Sequence, residues 1–282
     1  MYCREILHGI LIGYKIEALQ PMISFSPPYT PLASATQALQ QDGFALLRAD
    51  DLINLCQCPR QSWDELALFW QHLEPDQYLK DGGKYRQRKH ASVLINHHDV
   101  RIVPYRPHFQ PTSYNALHGG MDRWFTPCDA AFIDHPALQS LLLQLGDIFT
   151  ATPINNPTRN ASQKPTWFVE IHQFRIDTIG GIGRPTPEGA HRDGVNFVAV
   201  LLIDRQAIKG GETRVFATDS PHGQRFTLDT PLSILLLDDQ KVLHETTPIQ
   251  PMDRNQPGQS WRDTLVLTYR LDSFLDSKNP SA

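Results

Sequence analysis

The sequence predicts a mainly β fold with flanking helices, its core a double-stranded β-helix of the jelly-roll type. Three observations carry that expectation. Trp167–Ile176 alternates apolar and polar residues in the two-residue period of a strand, and Val198–Ile203 and Leu232–Leu237 are apolar runs bounded by turn residues. The segments with helical spacing, from Ala33 to Gly146, precede these strands and would back one sheet of the barrel. Finally, three side chains suited to one metal ion, His191, Asp193 and His244, stand on segments so far apart in sequence that they meet only if the sheet folds back on itself, as a jelly roll does.

Taken in order, residues 1–30 lack a strong period, and Ser24–Pro31 is a proline-rich connector, so an N-terminal extension is expected there, with Met22 as an alternative start. Ile6–Ile12 behind Arg4 imitates a signal peptide, but His8 and Gly9 interrupt the apolar run and no small-x-small cleavage site follows. Ala33–Gln41 has a helical pattern, Gly43–Leu47 reads as a short strand, and Asp50–Cys56 as a second helix. Ser62–Leu73 reads as a third, with Ser62 as N-cap and Glu65 completing a capping box. Basic residues alternate through Tyr78–Leu94, the pattern of a strand entering a binding site, with Arg86 and Arg88 as candidates to orient a substrate carboxylate. His108–Gly120 is a long irregular loop of the kind that forms a lid, and Gln110, Tyr114 and Asn115 are its candidate contacts. Asp134–Gly146 reads as a helix stopped by glycine, and Ala151–Lys164 as turn-rich chain leading to the barrel.

The barrel begins with the strand Trp167–Ile176. Phe168, Glu170, His172, Phe174 and Ile176 share one face, and Gln173 and Arg175 lie on the other. A polar residue pointing into a barrel is a binding candidate; which face is inside is open at this point, so Gln173 and Arg175 stand as substrate-binding candidates with Arg86 and Arg88. Asp177–Glu188 is a Gly/Pro loop, and Lys209–Glu212 a tight turn needing positive φ. The expected organisation is an extension over 1–30, one domain over 31–274 (helical support 33–146, jelly-roll core 166–271) and a tail over 275–282.

Composition narrows the class. A chain of 282 residues and 32.0 kDa with net charge −4 fits one large core and gives no general attraction to nucleic acid or anionic membrane. Cys3, Cys56, Cys58 and Cys128 form no disulfide framework, and Cys56-Gln-Cys58 lacks the spacing of a zinc knuckle. Free thiols and a cytoplasmic protein are expected. No stretch approaches the roughly 20 apolar residues of a membrane helix.

The chemistry is concentrated in Glu188-Gly-Ala-His191-Arg-Asp193-Gly-Val-Asn-Phe197. Positions i and i+2 of an extended chain face the same way, so His191 and Asp193 can reach one point. Two other His-x-acid triplets are weaker: His72-Leu-Glu74 has a helical setting, where i and i+2 diverge, and His97-His98-Asp99 is surrounded by polar residues. Only His191-Arg-Asp193 opens directly onto an apolar strand, and Lys241–Ile249 supplies His244 from another. Two His and one carboxylate make the facial triad that suits non-haem Fe(II), with tetrahedral zinc as the competitor that the triad alone does not exclude. On Trp261–Arg270, Arg262, Thr264, Val266 and Thr268 share a face, and a guanidinium with a hydroxyl two residues on can hold a distal carboxylate.

With Glu188–Phe197, the segments Ile208-Lys-Gly210-Gly211-Glu-Thr213, Asp238-Asp239 to His244, Thr247-Pro248-Ile249 and Arg262–Thr268 give the sequence a family likeness. It resembles the Fe(II)/2-oxoglutarate-dependent dioxygenases, whose core is cupin-like, and more narrowly the bacterial branch that hydroxylates free L-amino acids, the isoleucine-hydroxylase type. The resemblance is best over 166–271 and looser back to about residue 36. It implies Fe(II) held by His191, Asp193 and His244, 2-oxoglutarate held by Arg262 with Thr264, O2 as oxidant, and hydroxylation of an aliphatic amino acid, with no catalytic residue beyond the metal ligands. The alternatives are the same chemistry on a peptide or another small metabolite, and a jelly-roll sensor that binds metal without turnover. A small-molecule substrate is the expected partner, nucleic acid and membrane are not, and a homodimer is an assembly the sequence leaves open.

Overall fold

The structure is a computed structural model describing residues 27–96, 98–153, 165–255 and 257–278. Expectations for the N-terminal extension before residue 27, for the turn-rich stretch over 154–164, for His97 and for the end of the tail lie outside the described residues. The elements in chain order are α1 (Ala35–Asp42), β1 (Phe44–Leu47), α2 (Ala49–Cys56), α3 (Arg60–Ala67), β2 (Arg86–Ile95), β3 (Val100–Ile102), α4 (Ala130–Ile133) and α5 (Pro136–Ala151). Then come β4 (Trp167–Asp177), β5 (Phe197–Gln206), β6 (Ile208–Gly210), β7 (Glu212–Ala217), β8 (Gly223–Thr227), β9 (Ile234–Asp238), β10 (Val242–Thr246), β11 (Ile249–Pro251) and β12 (Trp261–Arg270).

A seven-stranded sheet in the order β1-β9-β5-β12-β4-β2-β3 faces a three-stranded sheet β10-β7-β8, with β11-β6 pairing at the side; every pairing is antiparallel. The mainly β, jelly-roll expectation holds. Strand alternation gives the large sheet two different faces. Val169, Ile171, Ala199, Leu201, Leu265 and Leu267 point to the helices and form one buried cluster with Trp63, Phe132, Leu138, Leu142 and Leu145. Leu46, Val198, Leu202, Leu235 and Leu237 point the other way and pack on Val215, Phe226 and Val242 of the small sheet, closing one end of the barrel. The other end carries the polar cavity described below.

Under the helices, Phe149 stacks on Phe197 with centroids 4.5 Å apart and meets Tyr269 edge-on at 4.8 Å. Phe149→Ala empties a fully buried site and is expected to cost about 3–5 kcal/mol, read from denaturant unfolding.

Two local expectations are corrected. Ser62 does not cap its helix: α3 starts at Arg60 behind Pro59, whose fixed φ of −64° is already set for a helix start, and Gln61 rather than Ser62 reaches Glu65, at 2.9 Å. α5 does not stop at Gly146 but runs to Ala151; a Cβ at Gly146 would lie 3.6 Å from Ile95 and Trp167, so this glycine marks close helix–sheet packing. The turn after β6 behaves as expected. Gly210 and Gly211 have φ of +79° and +69°, and a Cβ at Gly210 would meet the Pro248 carbonyl at 2.3 Å. His72 and Glu74 are exposed, and Cys56, Cys58 and Cys128 are free thiols.

Candidate active site

His191 and His244 are brought together by the backbone itself. Each donates its amide to the carbonyl of the other, at 3.1 and 3.0 Å, in an isolated antiparallel bridge where the chain approaches β5. Asp193 follows on an irregular turn that a second carboxylate holds in place: Asp239 accepts the backbone amides of Asp193, Gly194 and Val195 at 2.9, 2.8 and 3.0 Å. Gly194 has φ of +78°, and a Cβ there would lie 2.5 Å from the Tyr114 ring, so the turn requires glycine.

The donor atoms of His191, Asp193 and His244 all lie within 4.8 Å of one another. His191 Nε2 is 3.7 Å from Asp193 Oδ1 and His244 Nε2 is 3.8 Å from Asp193 Oδ2. His191 Nδ1 donates to the Gly189 carbonyl at 2.9 Å, which leaves Nε2 a bare lone pair. Burial and the neighbouring His191 push His244 down to about 4, against the pull of Asp193, so His244 is neutral at pH 7. Burial alone would lower His191, but Asp193 and Glu188 hold it above the usual range, and two imidazoles with a carboxylate aimed at one point fit a divalent cation. Gln110 fixes the carboxylate. Its Oε1 accepts from Arg123 Nη2 (2.8 Å) and Asn115 Nδ2 (3.1 Å), so its amide can only turn Nε2 toward Asp193 Oδ1, at 3.0 Å.

Arg262, Thr264, Val266 and Thr268 share the inward face of β12 and line the same cavity. Arg262 is buried, and its Nε and Nη2 have no hydrogen-bond partner. Burial and the neighbouring Arg205 lower its pKa to about 10, still charged at neutral pH. A buried cation with unpaired donors beside a hydroxyl fits an incoming carboxylate.

Across the cavity stand Arg86, Arg88 and Arg123. Arg86 Nε donates to Asp76 at 2.7 Å, and Arg88 Nη1 lies 3.7 Å from the same carboxylate. Burial alone would raise the Asp76 carboxyl, but Arg88 and Arg86 hold it below the usual range. Asp76 thus pairs with two of the three guanidiniums, while Arg123 Nη2 donates to Gln110. Arg88 is wedged between Phe125 and Phe174, 3.6 and 4.4 Å from the ring centroids, and is more a structural cation than a free one.

The face of β4 that is inside is the one carrying Glu170, His172, Phe174 and Ile176. Gln173 and Arg175, expected as substrate contacts, are therefore not on the cavity. Gln173 points to the helices and donates to the Phe69 carbonyl at 3.4 Å, while Arg175 is clamped to Asp263 at 2.8 and 2.6 Å. Alternation alone does not choose the inner face; packing of the helices on the opposite face does. Tyr114 packs under Gly194, and Gln110 binds Asn115, Arg123 and Asp193.

A second group of four buried side chains, His90, His108, Glu170 and His172, also has the spacing of metal ligands. Its hydrogen bonding argues otherwise. Arg88 can only donate, so His172 Nδ1, 2.8 Å from Arg88 Nη2, must accept, and the proton sits on Nε2. Neither nitrogen is then free for a metal. His108 Nδ1 lies 2.8 Å from Glu170, and Arg106 adds a positive charge at 3.3 Å. Burial pushes His108 down to about 4 despite Glu170, so it is a neutral donor. His172 is withdrawn from metal binding by Arg88, and the group serves as a polar network supporting the cavity wall, in which both His90 ring nitrogens lack a hydrogen-bond partner. Arg123, Asp76 and Asp239 escaped sequence reasoning in their roles; Arg123 sits in irregular chain with no period to mark it.

A jelly roll holding a cation-ready His/Asp/His set, with a buried arginine aimed at the same cavity, defines the class of 2-oxoglutarate-dependent oxygenases. The comparisons agree. The profile described as 2OG-Fe dioxygenase matches residues 67–268, and the chain belongs to that family. A crystal structure of a bsmA homolog from Methylobium petroleophilum PM1 is 46% identical, covers 89% of this chain and 98% of its own, and superposes with a TM-score of 0.80. IDO from Bacillus thuringiensis (18% identity, 86% and 100% coverage, TM-score 0.67) and the Fe(II)/(alpha)ketoglutarate-dependent dioxygenase TqaL (18%, 86% and 90%, 0.63) share the fold. No curated protein matches. The protein is a 2-oxoglutarate-dependent dioxygenase, with Fe(II), 2-oxoglutarate and O2 as cofactor, cosubstrate and oxidant. Among the described residues no helix is long and apolar enough to cross a membrane.

Proposed function

We propose that this dioxygenase hydroxylates an unactivated C–H of a free, aliphatic L-amino acid, as the bacterial amino-acid hydroxylase branch does. In this reading His191, Asp193 and His244 hold the iron, and Arg262 with Thr264 holds the far carboxylate of 2-oxoglutarate. When bound, Fe(II) with 2-oxoglutarate and O2 supplies the oxidant, releasing succinate and CO2. The chain's own residues do the positioning: Gln110 turns Asp193 toward the metal, and Asp239 clamps the backbone that carries it. The observation that carries the substrate reading is the wall of Arg86, Arg88 and Arg123 beside one neutralising Asp76. Such a wall suits a carboxylate, while Phe174, Ile176, Val200 and Val266 on the same cavity suit a hydrocarbon chain. A fixed cation on a substrate's head group aims one C–H at the oxidant.

The test is a panel of free L-amino acids incubated with enzyme, Fe(II), 2-oxoglutarate and O2, with succinate and hydroxylated product read by mass spectrometry. The expected result is stoichiometric succinate and hydroxylated product with one or more aliphatic members. Succinate release that no amino acid stimulates would remove the substrate reading, and a peptide or another small acid would then be the acceptor.

A further inference from the structure

We infer that Glu188 binds a protonated amine of the substrate, so that the cavity reads both charges of a zwitterion. The inference rests on the substrate cavity proposed above and deepens it.

Glu188 lies at the end of the loop that leads to the metal ligands and lines the cavity. Its side chain is only 13% exposed, and its Oε2 is buried without a hydrogen-bond partner. Its Oε1 is 3.6 Å from His191 Nε2. His191 Nδ1 is taken up by the Gly189 carbonyl and Nε2 faces the metal position, so this approach leaves Oε2 without a donor. Among the described residues no Lys or Arg nitrogen comes within 4.0 Å of the Glu188 carboxylate. Nor does Glu188 belong to the set of donors that meet at the metal position, which holds only His191, Asp193 and His244. The carboxylate is thus largely buried, and its Oε2 lacks a donor, an arrangement that is costly unless a ligand completes it.

The rest of the cavity says which ligand. Arg86 and Arg123 stand on the wall, and the charge of Glu188 is felt at Arg123 without contact between them. One cavity therefore presents an unpaired carboxylate beside the metal position and guanidiniums apart from it. A carboxylate-only substrate would satisfy the arginines and leave Glu188 facing empty space or a second anion. An α-ammonium satisfies it with a charge-assisted hydrogen bond, while the carboxylate of the same head group meets the arginines. Discrimination comes from the penalty that any substrate lacking the amine leaves behind.

The experiment uses the enzyme loaded anaerobically with Fe(II) and 2-oxoglutarate, titrated calorimetrically with L-leucine, with 2-hydroxy-4-methylpentanoate, which replaces the amine by hydroxyl, and with 3-methylbutan-1-amine, which keeps the amine and side chain but lacks the carboxylate. Wild type is expected to bind leucine at least about tenfold more tightly than the hydroxy acid and to bind the amine measurably. Glu188→Gln is expected to erase the preference and the amine binding, Glu188→Asp to keep part of both, and both variants to take up Fe(II) and 2-oxoglutarate as wild type does. The inference is overturned if Glu188→Gln retains the preference for the amine, if wild type binds no amine, or if the variant's Fe(II) affinity falls in parallel, which would make Glu188 a support of the metal. If amine binding depends on Glu188 but no amino acid is turned over, Glu188 keeps its role and the amino-acid reading fails. If an amino acid is turned over with the same KM by wild type and Glu188→Gln, only the Glu188 inference fails.

Discussion

Replacing Arg262 with alanine is expected to raise the 2-oxoglutarate concentration needed for half-maximal turnover by about a hundredfold to a thousandfold. The size follows from burial. Arg262 is 3% exposed and its unpaired donors are enclosed on β12, so a carboxylate that docks there is held in a poorly screened setting. Removing one partner of a buried ion pair typically costs about 3–5 kcal/mol, because the other is left unpaired, and about 1.4 kcal/mol is a factor of ten. Arg262→Lys should recover only part of the loss, since an ammonium cannot make the two parallel bonds of a guanidinium. The measurement is the KM for 2-oxoglutarate at saturating Fe(II), with Fe(II) affinity determined separately. An unchanged KM would mean that the cosubstrate binds elsewhere in the cavity.

Asp193→Ala is expected to have the larger effect: Fe(II) no longer retained through gel filtration and turnover below detection. Asp193 supplies the only negative charge in the His191, Asp193, His244 set, and its two oxygens face both histidines. Without it, two imidazoles remain to hold a dication. The backbone around position 193 should survive, because Asp239 binds the amides of residues 193–195 and not the side chain. Near-native unfolding behaviour of the variant, with metal lost, separates ligand loss from misfolding. A variant that retains iron and activity would refute the triad.

The parts of the site legible in the sequence were those carried by a period. His191 and Asp193 lie two residues apart before an apolar strand, and Arg262, Thr264, Val266 and Thr268 alternate along β12, so geometry followed from spacing. Gln173 and Arg175 show where this runs out. The same period that put Glu170 and His172 together left the inner face undecided, and helices from the first half of the chain decided it by covering Val169 and Ile171. Arg123, Gln110 and Asp239 act from loops and turns, where nothing repeats; only folding brings Gln110 to Asp193 across the molecule. Gly146 illustrates a related ambiguity, since a glycine near the end of a helical pattern reads as a stop whether it caps the helix or lets it pack closely.

The most direct test of the whole account is an anaerobic Fe(II) titration of the metal-free protein, followed by 2-oxoglutarate and monitored by calorimetry and visible absorption. One ion per chain is predicted, with a new charge-transfer absorption when 2-oxoglutarate is added to wild type and neither signal in Asp193→Ala. Binding of a second equivalent with comparable affinity would restore the buried His90, His108, Glu170 and His172 group as a metal centre. Iron binding and absorption that persist in Asp193→Ala would contradict the central claim that His191, Asp193 and His244 converge on one ferrous ion.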